Sequence, residues 1–371
     1  MNTQTPLPRT LIVCVHSPYN PLENFESYCA EFRNLVYSSN REFERELIIK
    51  LRAIEPASFF TKGKLNEIAQ ICEQEHIEEV VISEPLSVAQ QRNLQELLHC
   101  PVVDRTLLIL EIFERGAVSS EGKKQVARAR FQYEKSRLAG KGVHMSQQAG
   151  RIGTRGPGET AKEKETHHLE RLMTKLQRDL VHLQEVRKTQ RKKRISGNLP
   201  LMCLIGYTNA GKSTILNQLT KSNVLAENKL FSTLDTTTRE LYIDHKKVAL
   251  ISDTVGFIQQ LPHQLVEAFK STLSELEHAD LLLHVIDLSD TNWQHHSVIV
   301  NNVLEELGVH TKPVLYVFNK IDKVDETGAK TPLLSHYIPH ALVSAQTPNG
   351  LAPLIEYLRT FTAEFLKQRS S

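Results

Sequence analysis

The chain has 371 residues, 40% of them hydrophobic and 24% charged, and a formal net charge of +2. That balance excludes a disordered or collagen-like chain and leaves room for two or three domains. No uninterrupted apolar run exceeds five residues, and the first fifteen residues hold no long apolar stretch, so neither a membrane-spanning helix nor a secretory leader is expected.

Residues 1–115 read as an N-terminal α/β domain. Leu11–Val15, Glu46–Lys50, Val80–Ile82 and Pro101–Val103 are strand candidates. Helical spacing of Phe25, Tyr28, Phe32, Leu35 and Val36, then of segments near 64–75 and 87–98, fills the gaps between them. Strand alternating with helix predicts a mainly parallel sheet. The five cysteines, Cys14, Cys29, Cys72, Cys100 and Cys203, are odd in number and contain no C-x-x-C pair. They predict no disulfide framework and no thiolate zinc site, and they suit a reducing, cytoplasmic compartment.

Residues 116–197 change character. Eight of the chain's 16 glycines fall within 116–158, and residues 123–196 hold 20 Lys and Arg against 7 Asp and Glu. The near-neutral total therefore hides one strongly basic segment, a pattern that points to a polyanionic partner. Leu169, Leu172, Leu176, Leu180, Leu183 and Val186 repeat at three- and four-residue steps, predicting a long helix with a narrow apolar seam. A shorter helix near 121–139 is expected to pack on it as an antiparallel hairpin. Between the two lies Gly150–Glu159, whose four glycines and one proline exclude a helix and present Arg151 and Arg155 at the hairpin tip, our candidates for contact with that polyanion.

Residues 198–371 alternate again, with strands expected at Leu201–Ile205, Val248–Ser252, Leu281–Ile286, Val314–Phe318 and Ala341–Val343. A doubly wound sheet follows, with its ligand at the carboxyl ends of the strands. Gly206-Tyr207-Thr208-Asn209-Ala210-Gly211-Lys212-Ser213 matches G-x-x-x-x-G-K-[ST] between a strand and an amphipathic helix. Such a loop turns several N–H groups and a helix N-terminus toward phosphate oxygens. Lys212 would reach the β- and γ-phosphates, and the Ser213 hydroxyl would hold Mg²⁺.

Asn319-Lys320-Ile321-Asp322 closes one strand, and Ser344-Ala345-Gln346 follows the last. The Asp322 carboxylate can accept N1–H and N2–H₂ of guanine as a pair, which adenine cannot supply. Asn319 would brace the loops, and backbone near Ala345 would reach guanine O6. Asp253-Thr254-Val255-Gly256 ends a strand, where the acid would hold Mg²⁺ through water and the Gly256 N–H would meet the γ-phosphate. Phe231-Ser232-Thr233-Leu234-Asp235-Thr-Thr-Thr-Arg239 has the look of a switch segment, and spacing leaves Thr233, Thr236, Thr237 and Thr238 open as the threonine that completes the Mg²⁺ shell. Phe257 stands where many GTPases carry a water-orienting Gln, so slow intrinsic hydrolysis is expected. The Asn209 carbonyl can help bind K⁺ beside the phosphates.

These motifs together with F-S-T-L-D-T-T-T-R, D-T-V-G-F-I-x-x-L-P-H and N-K-I-D closely resemble the HflX-type ribosome-associated GTPases. Arg151-Ile-Gly-Thr-Arg-Gly-Pro-Gly-Glu-Thr160 is similar to that family's hallmark loop, and 60–65 and 104–113 resemble its N-terminal domain. The resemblance, over roughly 10–365, implies a monomeric GTPase that binds GTP and GDP with Mg²⁺, docks its hairpin in the rRNA of the large ribosomal subunit and splits stalled ribosomes. A GTP-dependent RNA-binding switch acting in ribosome assembly is the alternative. The resemblance also selects Thr233 as the Mg²⁺ threonine. Three departures stand out: Ala161-Lys-Glu-Lys-Glu-Thr166-His-His after the hallmark loop, Thr236 where the family has Pro, and an end soon after Leu351–Gln368, without the C-terminal domain of some members.

Overall fold

The computed structural model describes residues 8–18, 24–138, 161–195, 199–221, 230–231, 237–260, 275–324 and 332–370. Arg151, Arg155, Ser232, Thr233, Leu234, Asp235 and Thr236 lie outside them. Two compact units emerge, one of residues 1–115 and 124–179, the other of 116–123 and 180–371.

In the first unit, β1 (Thr10–His16), β2 (Arg45–Lys50), β3 (Glu79–Ile82) and β4 (Val102–Val103) form a parallel sheet in the order β2-β1-β3-β4. Leu11, Ile12, Val13, Cys14 and Val15 are all fully buried, as a central strand covered on both faces requires. Leu11, Val13 and Val15 pack in one core with Leu65, Ile68 and Ile71 of α2 (Lys62–Gln74) and Leu94 and Leu98 of α3 (Val88–Leu98). Ser87 and Gln90 close a capping box that starts α3. On the other face, Cys14 is joined to Cys29 of α1 (Phe25–Ser38) by a disulfide. The scattered cysteines gave no sign of this bridge. It arises because the crossover after β1 lays α1 back on its own strand, bringing positions fifteen residues apart into contact. It is a single link inside one β–α unit, while Cys72, Cys100 and Cys203 are free and buried.

The helix α4 (Arg105–Gly116) follows β4, and α5 (Ser120–Leu138) and α6 (Ala161–Ile195) follow it. Asp104, at the start of α4, is wholly buried, and its carboxylate accepts bonds from Leu86 N, Leu107 N, Tyr133 Oη and Arg137 Nη2. Four donors offset the cost of burying that charge and fasten α5 to the sheet end. Lys124–Asp179 at 2.9 Å and Lys135–Glu170 at 2.7 Å run in opposite register, so α5 and α6 are antiparallel. Both pairs are half-exposed and mark register more than they stabilise. The predicted seam is partial: Leu169 and Leu180 are buried, whereas Val186 is 40% exposed.

The second unit holds a six-stranded sheet, order β10-β9-β8-β5-β7-β6, from β5 (Leu201–Gly206), β6 (Thr237–Ile243), β7 (Lys246–Asp253), β8 (Leu281–Asp287), β9 (Val314–Asn319) and β10 (His340–Leu342). All pairings are parallel except β6 with β7. Strand β6 was not predicted, and it takes up Thr237 and Thr238 of the expected switch segment, with Thr237 opposite Asp253. One face is covered by α7 (Lys212–Thr220) and α9 (Ala352–Ser370) through Ile215, Leu216, Leu354 and Leu358. On the other face Trp293, at the start of α8 (Trp293–Glu306), packs against a cluster of Ile286, Leu288 and Phe318. Chain order reverses at β5, whose neighbours are β7 and β8, so the crevice beyond its carboxyl end is where such a sheet takes its ligand. Among the described residues no helix is long and apolar enough to cross a membrane.

Candidate functional site

The loop 206–211 leaves β5 at that crevice and enters α7. Gly211 has φ +97°, and a Cβ there would strike the Asn319 side-chain amide, so this position requires glycine on both counts. Asn209 also takes a positive φ of 61° and is exposed. Lys212 folds its Nζ back onto Gly206 O at 3.1 Å and Tyr207 O at 2.8 Å. Burial lowers its amine from 10.5 to about 8, with the Asp253 carboxylate pulling the other way. Beside it, Ser213 Oγ donates to Asp253 Oδ2 at 2.7 Å.

The 253–257 segment is held hard against this loop. Thr254 Oγ1 donates to Leu204 O, Thr208 N to Phe257 O at 2.8 Å, and Phe257 N to Gly206 O at 3.2 Å. Val255 and Phe257 are buried, and Tyr207 and Phe257 form a parallel bridge. Gly256 passes so close that a Cβ would sit 2.9 Å from both Lys212 Nζ and Thr208 Cα. Phe257 thus has its own task here: its ring fills the core while its backbone ties the segment to the phosphate loop.

Two further loops meet the same crevice. Asn319 Nδ2 donates to Ala210 O at 2.9 Å, and its Oδ1 accepts Ala345 N at 3.1 Å, so one amide spans the 206–211 and 344–346 loops. Ile321 N bonds Val343 O, and Ser344 Oγ donates to Asp322 Oδ1 at 2.6 Å while accepting from Gln346 N and Thr347 N. Lys320, at φ 63°, pairs with Asp287 Oδ2 at 2.6 Å, and Asp287 also accepts from Ser289 N and Oγ. Phe231 is buried at φ 59°.

Sequence reasoning passed over three side chains. Asp287 comes out of β8 onto Lys320. His284, buried in the same strand, has its imidazole lowered to about 3, by desolvation first and by the Lys212 charge second. His296 of α8 stacks on Tyr207. The only signal in the chain was a polar residue interrupting an apolar strand, as His284 does.

A glycine loop at the sheet's reversal point, a lysine and serine at the helix start, and an Asn-Lys-x-Asp loop beside it define a P-loop GTP-binding protein. The family models agree. Residues 201–320 match the 50S ribosome-binding GTPase, 26–114 the GTP-binding GTPase N-terminal region and 116–194 the GTP-binding GTPase middle region. The GTPase HflX of Magnetococcus marinus is 43% identical over 330 residues, covering 89% of this chain and 76% of that protein. That of Escherichia coli K12 is 39% identical over 347 residues, covering 93% and 81%. The crystal structure of SsGBP with GDP superposes with a TM-score of 0.54 at 25% identity over 96% of this chain and 99% of that one. The chain belongs to the HflX family of GTPases and is a GTP hydrolase.

Proposed function

We propose that the nucleotide lies along residues 206–213 with its base between Asp322 and Ala345, and that its triphosphate state governs docking of the basic α5–α6 arm on the large ribosomal subunit, followed by separation of stalled ribosomes into subunits. Gly206–Ser213 would wrap the phosphates, Lys212 would leave its two carbonyls for the β- and γ-oxygens, and the Gly256 N–H would meet the γ-phosphate. Asp322 would take the guanine edge, Asn319 would keep the two loops apart by the width of the base, and Lys320 and Ile321 would wall the pocket. The Ser213 hydroxyl and Asp253 carboxylate, 2.7 Å apart, are hard oxygen donors that fit Mg²⁺ held largely by the phosphates. Among the described residues no cluster of three His, Cys, Asp or Glu competes for that role. Mg²⁺ would neutralise charge developing on the β- and γ-oxygens. We assign its threonine to Thr233, the neighbouring wall of the nucleotide site to Phe231–Asp235, and a K⁺ contact to Asn209.

The observation carrying the ribosomal part is the charge split. The arm concentrates 20 basic groups against 7 acidic ones, and on α6 His167, Glu170, Arg171, Thr174, Lys175 and Arg178 line one open depression. Side chains of that kind track a phosphate backbone. Arg151 and Arg155 would meet rRNA at the tip. The test is the GTPase rate with and without large subunits, with sedimentation of intact ribosomes in parallel. Stimulation of hydrolysis together with conversion of ribosomes to subunits is expected. Stimulation with ribosomes left whole would favour the assembly-switch reading.

A pH dependence follows from Lys212. Phosphate needs the ammonium, and a bound triphosphate raises the amine's pKa, so binding takes up a proton once the free site has lost it. Affinity for GTP is therefore full below the free-site value of about 8. Above that value it falls by about tenfold per pH unit. Fluorescent-nucleotide titrations on both sides of that value would show the break, and a flat profile would contradict it.

A further inference from the structure

Helix α8 brings an imidazole to the phosphate loop. The His296 ring lies on the Tyr207 ring with centroids 3.8 Å apart and planes 7° from parallel. Its Nδ1 is 3.3 Å from Asp290 Oδ2, and Asp290 Oδ1 is itself fixed by Asn292 N–H at 2.9 Å. His296 is 8% exposed, and its Nε2 has no partner among the described residues. A carboxylate on one ring nitrogen sets the orientation of an imidazole. Here it holds the ring flat over a tyrosine, an arrangement that an aliphatic packing residue could not reproduce.

Tyr207 faces the reaction from three directions. Its carbonyl receives Lys212 Nζ at 2.8 Å, its hydroxyl accepts Gln259 N–H at 2.9 Å, and its backbone bridges to Phe257. Gly256 comes just before these two contact points and lies against Lys212 Nζ. The usual water-orienting side chain is absent because position 257 is Phe, so the placement of the 256–259 backbone has to come from elsewhere.

We propose that Tyr207, clamped by His296 and Asp290, is a positioning residue for GTP hydrolysis that sets the spacing between the phosphate loop and Gly256–Gln259. The proposal rests on the nucleotide placement given above and adds to it a link that only the γ-phosphate end of the site feels. Loss of the clamp leaves the base and the α- and β-phosphates where they are.

The experiment measures single-turnover GTP hydrolysis and GDP binding in the full chain with His296→Ala, His296→Phe and Tyr207→Phe, beside Lys212→Ala. His296→Ala is expected to slow hydrolysis by about tenfold while GDP affinity stays within about twofold, the split that marks an interaction made at the transition state. His296→Phe keeps an aromatic ring but loses the Asp290 contact, and it is expected to recover only part of the rate. Tyr207→Phe keeps the stack, loses the Gln259 bond and is expected to match His296→Ala. Unchanged hydrolysis in His296→Ala and Tyr207→Phe would overturn the proposal. So would a parallel fall in GDP affinity, rate and melting temperature, which marks a packing role alone. Lys212→Ala separates the two readings: if it leaves nucleotide binding intact, the site itself is misplaced, whereas a failed clamp leaves the Lys212→Ala defect in full.

Discussion

Replacing Lys212 by Ala is expected to weaken GTP binding by about 100-fold and to end hydrolysis, while the protein stays folded. A charge-assisted bond to phosphate contributes about 1.5–3 kcal/mol, and about 1.4 kcal/mol is a factor of ten. Hydrolysis suffers more, because the same ammonium meets charge that builds on the transferred group. The fold is spared for a reason visible at the site. Lys212 is 6% exposed, and burial, not pairing, dominates its titration, so the ammonium is held at a cost and its removal relieves that cost. The carbonyls of Gly206 and Tyr207 lose a donor that water can replace. Calorimetry should show a melting temperature within about 4 °C of the parent. A larger drop, with GTP and GDP affinity lost in proportion to unfolding, would mean that Lys212 serves the loop's structure instead.

The second large effect is at the base. Asp322→Asn is expected to lower GTP affinity by about 10–100-fold and raise XTP affinity by a similar factor, since each paired contact to a base edge carries about 1–3 kcal/mol. The carboxylate accepts from two guanine donors, and an amide offers one donor and one acceptor, which suits the 2-oxo group of xanthine. The bond from Ser344 Oγ to Asp322 Oδ1 keeps that side chain in one orientation, and the Asn oxygen can still accept it. Competition binding with GTP, XTP and ATP reads the result. Retained guanine preference would remove Asp322 from the base pocket.

Much of this fold was legible because its signals are local. The five G-domain strands expected from apolar runs are present, as are the four N-terminal ones, each within a residue or two of its predicted limits. The phosphate loop could be placed because its glycines sit between a strand and a helix, and backbone geometry there leaves little choice. Strand β6 was missed for two reasons. Its first residues had been absorbed into a threonine-rich motif, and its turn onto β7 uses Asp244 and His245 at φ 51° and 61° in place of the usual Asn-Gly pair. The alternation that marks it, Leu241 and Ile243 inward with Glu240 and Tyr242 outward, begins only after those threonines. Cys14–Cys29 was invisible because spacing cannot report a crossover that folds back on its strand. The stack of His296 on Tyr207 joins residues from separate elements, a contact that only the sheet's order creates. The apolar seam of α6 was overread, because heptad spacing records where leucines fall and not how far the partner helix extends. Partner α5 starts at Ser120, and its Lys124 is level with Asp179, so Val186 lies past the span that those pairs define.

Nucleotide held at residues 206–213 is expected to control the basic arm. Large-subunit binding should be measured by pelleting at several salt concentrations, with a non-hydrolysable GTP analogue, with GDP and without nucleotide. Strong, salt-sensitive binding with the analogue and weak binding in the other two is the predicted result, the salt slope reporting the phosphates that the arm neutralises. Equal binding in all three states would contradict it.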